Sequence, residues 1–195
     1  MIAINGSYRR AGVTAQALEE ALAAAREAGA ETETVNLLDA KIEFCANCRG
    51  CMQDPGQKRG LCPQNDDMAG ILDKLEAADG VLFGAPVNFF NVNALTRRFL
   101  ERMAVYGYWP WGAAAPKYRR AVGGKKAVLV TSAAMPAFFG RFLTGAVRAL
   151  KCCARNLGAE VGGVMFIGQA AMRERPSLTG SEKKKARALG RRLAV

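Results

Sequence analysis

Cys45-x2-Cys48-x2-Cys51-x10-Cys62 is the pattern with the clearest chemical content in this 195-residue chain. Three thiols at two-residue spacing let one loop wrap a cubane [4Fe–4S] cluster, with a fourth thiolate arriving from nearby. The same four cysteines could hold zinc in an all-thiolate site. They could equally stay metal-free, as reduced structural thiols or as redox-active ones. The span before Cys62 contains Pro55, Gly56 and Gly60, which can fold the chain back on itself. It also contains Lys58 and Arg59, whose charge could offset that of a thiolate-bound cluster. The adjacent pair Cys152-Cys153 falls in a helical stretch and reads as core packing plus one partly exposed thiol.

Three further segments place polar groups where a ligand could use them. Gly6-Ser7-Tyr8-Arg9-Arg10-Ala11-Gly12-Val13-Thr14 leads from an apolar run into a helical one. The Ser7 and Thr14 hydroxyls, the Arg9 guanidinium and the free N–H groups of a helix start are all phosphate donors, reinforced by the helix dipole. The segment is neither a Walker A loop nor a GxGxxG fingerprint, and an ordinary βα turn would look similar. Ala85-Pro86-Val87-Asn88-Phe89-Phe90-Asn91-Val92-Asn93 joins amides and aromatics that could meet the polar edge and the faces of a flat ring; two core phenylalanines and a helix cap are the plainer account. Thr131-Ser132-Ala133-Ala134-Met135-Pro136 offers small residues that let a planar ligand approach the backbone.

Histidine is absent, which excludes Ser-His-Asp and Cys-His catalysis, His-ligated zinc and an imidazole proton shuttle. Half of the residues are hydrophobic, enough for a real core. No apolar run reaches the ~18 residues of a membrane span. The start, Met1-Ile2-Ala3-Ile4-Asn5, reads as a strand and not as a signal peptide, so a cytoplasmic setting with reduced thiols is expected. The net charge is +11, and residues 173–192 and 117–126 carry the excess. Such patches suggest nucleic acid, but no nucleic-acid-binding motif accompanies them. An anionic cofactor or a solvated terminal helix explains the charge as well.

The elements that must position these groups alternate strand and helix. Met1–Asn5, Thr32–Leu37, Gly80–Ala85, Lys126–Thr131 and Val161–Ile167 read as strands. Helices are expected from Thr14, as N-cap, to about Gly29, and over Met68–Ala77, capped by Asp66 or Asp67. Others are expected over Asn93 to about Val105, Phe139–Leu157 and Leu178–Leu193. Residues 38–65 form a cysteine-rich connection, and 106–123 an irregular excursion crowded with Tyr106, Tyr108, Trp109 and Trp111. Five strands separated by helices imply one α/β domain over 1–195 with a doubly wound parallel sheet. In such sheets ligands sit outside the carboxyl ends of the strands, which selects the three loops above.

GSYRRAGVT, CANCRGC…CPQNDDM, GAPVNFFNVNALTRRFLER and VLVTSAAMP occur in the order seen in flavodoxin-like NAD(P)H-dependent FMN reductases. The chain resembles that family along nearly its whole length, and its iron–sulfur flavoprotein-like branch in particular. The resemblance implies sheet order 2-1-3-4-5, with FMN at the first/third-strand switch point. It implies that Ser7, Arg9 and Thr14, with Gly12 in the same turn, hold the FMN phosphate. Pro86, Val87, Asn88, Phe89, Phe90 and Asn91 would line the isoalloxazine, and Thr131, Ser132 and Ala133 its other edge. Many relatives carry an aromatic residue directly after Pro-Val; Asn88 stands there in this chain, leaving stacking to Phe89 or Phe90. Cys45, Cys48, Cys51 and Cys62 would be the cluster ligands, although the last spacing is typically shorter in that branch, and similar loops without a cluster are common.

The function implied is transfer of electrons from NAD(P)H through FMN to an unidentified acceptor. Two alternatives stand beside it: an iron–sulfur electron carrier fed by ferredoxin, and a basic nucleic-acid-binding module. The aromatics at 106–111 would serve as a flap over the flavin, as loop interior, or as the interface of a homodimer or homotetramer.

Overall fold

The computed structural model describes residues 1–172 and 174–194. Arg173, part of the basic stretch 173–192, and Val195, the end of the expected domain, lie outside the described residues. The first half runs β1 (Ile2–Asn5), α1 (Val13–Glu27), β2 (Glu33–Asn36), α2 (Met68–Ala77), β3 (Gly80–Asn88), β4 (Asn91–Val92) and α3 (Ala94–Arg102). The second half runs β5 (Gly107–Tyr108), β6 (Lys117–Tyr118), β7 (Lys126–Ser132), α4 (Ala137–Leu143), α5 (Ala146–Asn156), β8 (Glu160–Ile167) and α6 (Gly180–Leu193).

The sheet order is β2-β1-β3-β7-β8, with all four pairings parallel. Counted among the five parallel strands this is 2-1-3-4-5, the flavodoxin-like order. β3 is buried on both faces because helices cover both sides of a parallel sheet, which is why Gly80–Ala85 is an unbroken apolar run. Successive side chains alternate faces. Val81, Phe83, Ala127 and Leu129 join one core under α2, α3 and α5; Leu82, Val128 and Val130 join the other under α1 and α6. Each fully buried Leu or Phe contributes about 1.5–3 kcal/mol relative to exposure. α6 lies tight on α1 because residue 190 is glycine: a Cβ there would sit 1.9 Å from the Ala21 carbonyl oxygen. No helix among the described residues is long and apolar enough to cross a membrane.

Three expectations change. The helix expected over Phe139–Leu157 is two, α4 and α5. Thr144 is extended, and the Gly145 N–H is drawn out of the helix to donate to the Phe90 carbonyl at 2.7 Å. α1 is capped by Gly12, and Thr14 lies inside its first turn. The excursion at 106–123 contains a small antiparallel pair, β5–β6. Both aspartates before α2 are used: Asp66 accepts from the Met68 N–H at 3.0 Å, and Asp67 from Lys41 at 2.7 Å.

Candidate functional site

An open cavity of about 420 Å³ lies at the carboxyl ends of β1, β3 and β7. α1 begins at its wall. The cap residue Gly12 offers no side chain, and no acid occupies the first turn. α3 and α6, in contrast, are capped by the side chains of Asn93 and Thr179. The first-turn N–H groups of α1 have no intrahelical partner, so this end is left for a ligand acceptor. Thr14 Oγ1 and Ser132 Oγ stand 2.8 Å apart, both buried. One hydrogen lies between two such hydroxyls; the other remains to be donated.

The turn is held from below. Gly6 N–H donates to Gly84 O at 2.7 Å, and Asn93 Nδ2 donates to Gly6 O at 2.7 Å, locking the first loop to the start of α3. Only glycine fits at position 6, since a Cβ would lie 2.0 Å from Thr96 Oγ1. Ser7 Oγ accepts from the Arg9 N–H at 3.1 Å and donates to the Arg9 carbonyl at 3.0 Å, so its hydroxyl shapes the turn. Arg9 is exposed at the mouth, and no carboxylate lines the cavity among the described residues.

The structure thus brings together Ser7, Arg9, Gly12 and Thr14 with Pro86, Val87 and Asn88, and with Ser132 and Ala133. Four of the expected residues are placed elsewhere. Thr131 is fully buried and, one residue from Ser132, faces the opposite side of the sheet; its hydroxyl finds no partner among the described residues. Phe89 and Phe90 form the tip of the β3–β4 hairpin, with left-handed φ of 46° and 62°, and point to solvent. Asn91 pairs with Asn88 behind that tip and accepts from the Val92 N–H at 2.8 Å. Sequence reasoning missed Ala170, Ala171 and Pro176, which wall the cavity from the β8–α6 connection. That segment has no motif, but the carboxyl-end rule applied to the fifth strand would have found it. Gln16 ties it down, donating to Pro176 O at 3.0 Å and accepting from the Leu178 N–H at 3.1 Å.

Cys45, Cys48, Cys51 and Cys62 line one small recess on the connection before α2. Asn47 and Arg49, flanking Cys48, have φ of 52° and 58°, the left-handed region that curls the loop. The ten-residue span closes through Gly60: a Cβ there would lie 1.7 Å from Cys51 O, and its N–H donates to Val105 O at 2.7 Å. Burial pushes the Cys51 thiol up, and its three cysteine neighbours push it further, because adjacent thiolates repel. Among the described residues, no three thiol or carboxylate groups converge closely enough to hold a single metal ion.

Arginines staple this loop to the body. Arg49 is sandwiched between Trp109 and Trp111 at 4.0 and 4.2 Å and donates to Trp109 O at 2.6 Å. Arg119 donates to Cys51 O at 3.1 Å and to Gly107 O at 3.0 Å. Arg102 pairs with Asp66 in the interior. Arg59, expected to offset cluster charge, instead pairs with Asp73 and Glu76. The excursion therefore packs on the cysteine loop of its own chain and not over the cavity. Tyr106 is fully buried, its hydroxyl donating to Glu76 at 2.9 Å. Some residues of the basic stretches are likewise engaged. Lys125 donates to the last carbonyls of α2, Arg120 pairs with Glu76, and Arg187 pairs with Glu20 and Glu27 of α1.

Comparisons agree with this architecture. Over 102 residues the chain is 38% identical to an iron-sulfur flavoprotein of Methanocaldococcus jannaschii, covering 52% of this chain and 50% of that protein. The chain thus spans about half the length of the curated relatives it matches. An FMN-dependent NADH-azoreductase from Bacillus anthracis, solved in complex with FMN, superposes with TM-score 0.71 at 13% identity, over 100% of this chain and 99% of that one. A flavodoxin from the domain Archaea superposes with TM-score 0.56 at 12% identity, over 99% and 94%. Residues 1–147 match the family described as NADPH-dependent FMN reductase, and the chain belongs to that family.

Proposed function

We propose that this chain is an FMN-dependent oxidoreductase that passes electrons from NAD(P)H through bound FMN to an acceptor, in a cytoplasmic setting. The observation that carries the reading is the uncapped N-terminus of α1, opening with the Thr14–Ser132 hydroxyl pair into a carboxylate-free cavity at the switch point. That chemistry suits a phosphate dianion. FMN, when bound, supplies the redox chemistry; the protein supplies binding, orientation and electrostatics. The first turn of α1, Thr14 and Arg9 would hold the phosphate. Pro86 and Val87 offer an apolar wall beside the Asn88 amide, and Ala133 and Ala134 are small enough for a flat ring to approach the backbone. Preorganised N–H groups along such an edge stabilise negative charge. Phe89, Phe90, Asn91 and Thr131 have no part in this arrangement. Anaerobic rapid mixing tests it: NADPH or NADH should bleach the flavin absorbance of the FMN-loaded protein. Failure of both, with rapid reduction by ferredoxin, would assign it to electron carriage.

A second reading, an iron–sulfur flavoprotein with a [4Fe–4S] cluster, is favoured by the four cysteines lining one recess. The donor set fits. A tetrahedral zinc site needs four thiolates within about 2.3 Å of one ion, whereas a cubane carries one thiolate per corner and tolerates a wider set. A cluster, when bound, would add one-electron chemistry, and Cys45, Cys48, Cys51 and Cys62 would be its ligands. Iron and sulfide after anaerobic reconstitution decide the matter: the wild type should load and Cys48→Ala should not. Equal, near-zero iron in both would leave a plain flavin reductase.

The expectation of a homodimer or homotetramer moves from 106–111 to the exposed Phe89, Phe90, Phe138, Phe139 and Phe142. A monomeric mass by light scattering at micromolar concentration would refute it.

A further inference from the structure

Several arginines hold the cysteine loop, and they do different things. Arg49 and Arg119 donate to main-chain carbonyls. Arg102, the last residue of α3, also donates to a sulfur: its Nη2 lies 3.5 Å from Cys62 Sγ. The same nitrogen donates to Asp66 Oδ1 at 3.1 Å, and Nη1 donates to Glu43 O at 2.9 Å and to the other Asp66 oxygen. Asp66 in turn accepts from the Glu43 N–H at 2.8 Å. One guanidinium therefore grips the chain just before Cys45 and again at Cys62, closing the loop at both ends.

The pair is buried, with side-chain exposures of 2% for Arg102 and 0% for Asp66. A buried ion pair is a poor device for stability, since apolar residues of similar volume serve as well or better. Something else must justify the charge there. Cys62 is the cysteine set apart by the ten-residue span, so its sulfur depends most on support from outside the loop. Arg59 does not give that support, because its guanidinium goes to Asp73 and Glu76.

We infer that Arg102 is a positioning residue for Cys62: it fixes that thiolate as the fourth cluster ligand and sets a permanent positive charge beside it. The inference rests on the reading that the recess holds [4Fe–4S]. Outer-shell donors of this kind orient ligands, and their loss typically costs about 10–100-fold in metal affinity. Hydrogen bonds to ligand sulfurs, and nearby charge, also set the cluster's potential. A cation on the sulfur favours the more negative, reduced cluster, so removing it lowers the potential. Lysine keeps the charge but cannot span a carboxylate, a carbonyl and a sulfur with one rigid fork.

The test compares anaerobically reconstituted, FMN-loaded wild type with Arg102→Lys and with the double variant Arg102→Met/Asp66→Asn, which leaves no orphan charge. Flavin content reports folding, since no residue lining the cysteine recess lines the cavity. Both variants should keep FMN and bind iron about 10–100-fold more weakly. On mild oxidation with ferricyanide they should convert more readily than wild type to the three-iron species seen by electron paramagnetic resonance, Fe2+ leaving the corner held by Cys62 and ferricyanide taking the electron. Any intact cluster should have a lower midpoint potential, because the N–H donated to the Cys62 sulfur is lost; in the double variant the loss of the Asp66 charge offsets part of that fall. Should that variant lose FMN, Arg102→Lys decides alone. Iron affinity and potential equal to wild type in the folded variants would overturn the inference and leave the cluster reading standing. A wild type that takes up no iron would remove both, a flat pattern that variant-specific failure cannot produce.

Discussion

The cavity and the cysteine recess lie in one chain but are held by different physics. The cavity is made from the ends of regular elements: strand register, a helix start and close-packed glycines set its geometry, and few side chains are needed. The recess is made from irregular backbone, curled through left-handed residues at 47 and 49 and held by Arg49, Arg102 and Arg119. The cavity needs its scaffold to remain folded. The recess needs, in addition, individual long-range contacts, each removable by one substitution.

That contrast can be broken first at the cavity. Arg9→Ala with Thr14→Ala should weaken FMN binding by about 3–6 kcal/mol, two charge-assisted hydrogen bonds, at a smaller cost in thermal stability, since Arg9 is exposed and Thr14 loses only its bond to Ser132. Fluorescence titration measures it, and unchanged affinity would place the flavin elsewhere. At the recess the order should reverse. Arg102→Met alone should lower stability by about 3–5 kcal/mol by stranding a buried charge, with FMN affinity unaffected in the protein that folds. Denaturant melts check this.

Acid sharpens the same point. Burial pushes the Asp66 carboxyl up, but the Arg102 guanidinium and the Glu43 and Met68 N–H groups outweigh it, leaving it below its ordinary value. A depressed carboxylate contributes stability above its unfolded pKa, about 3.9, and that stability is lost as pH falls through the folded value. Wild type should therefore lose stability below about pH 4 more steeply than Asp66→Asn. Smaller still, Arg49→Ala should cost about 1–2 kcal/mol as its two indole faces are lost, read as faster proteolysis at 106–111. Last, Phe89→Asn with Phe90→Gly should raise the stability of the isolated monomer by about 1 kcal/mol, since left-handed backbone at a two-residue turn suits Asn-Gly, while weakening association through these rings. A calorimetric melt would show it as a small rise in Tm.

The sequence was readable where local pattern and global fold agree. Gly80–Ala85 reads as a central strand and is one, and the Gly6–Thr14 turn falls where the switch-point rule puts ligands. It was unreadable where one distant partner decides. Gly145 is only a weak local sign of a break; the acceptor that breaks the helix is the distant Phe90 carbonyl. Thr131 and Ser132 look equivalent until β-strand alternation turns one toward α1 and the other away. Ala170, Ala171 and Pro176 carry no chemical signal; only the topology places them. Arg102 reads as one more helix-surface cation, since neither Asp66 nor Cys62 stands at helical spacing from it.

The Gly60–Val105 hydrogen bond carries one more consequence, for motion. The recess is closed by hydrogen bonds, each worth about 1 kcal/mol net, while the sheet is closed by buried side chains such as Ile4, Phe83 and Leu129. Regions held by few apolar contacts open on their own, at a fraction of the global unfolding free energy. The Gly60 amide should then exchange with solvent hydrogen well before the Ile4 amide. The cysteine loop can breathe while the sheet and its cavity stay folded, so a cluster bound in the recess would come and go without disturbing a ligand held in the cavity.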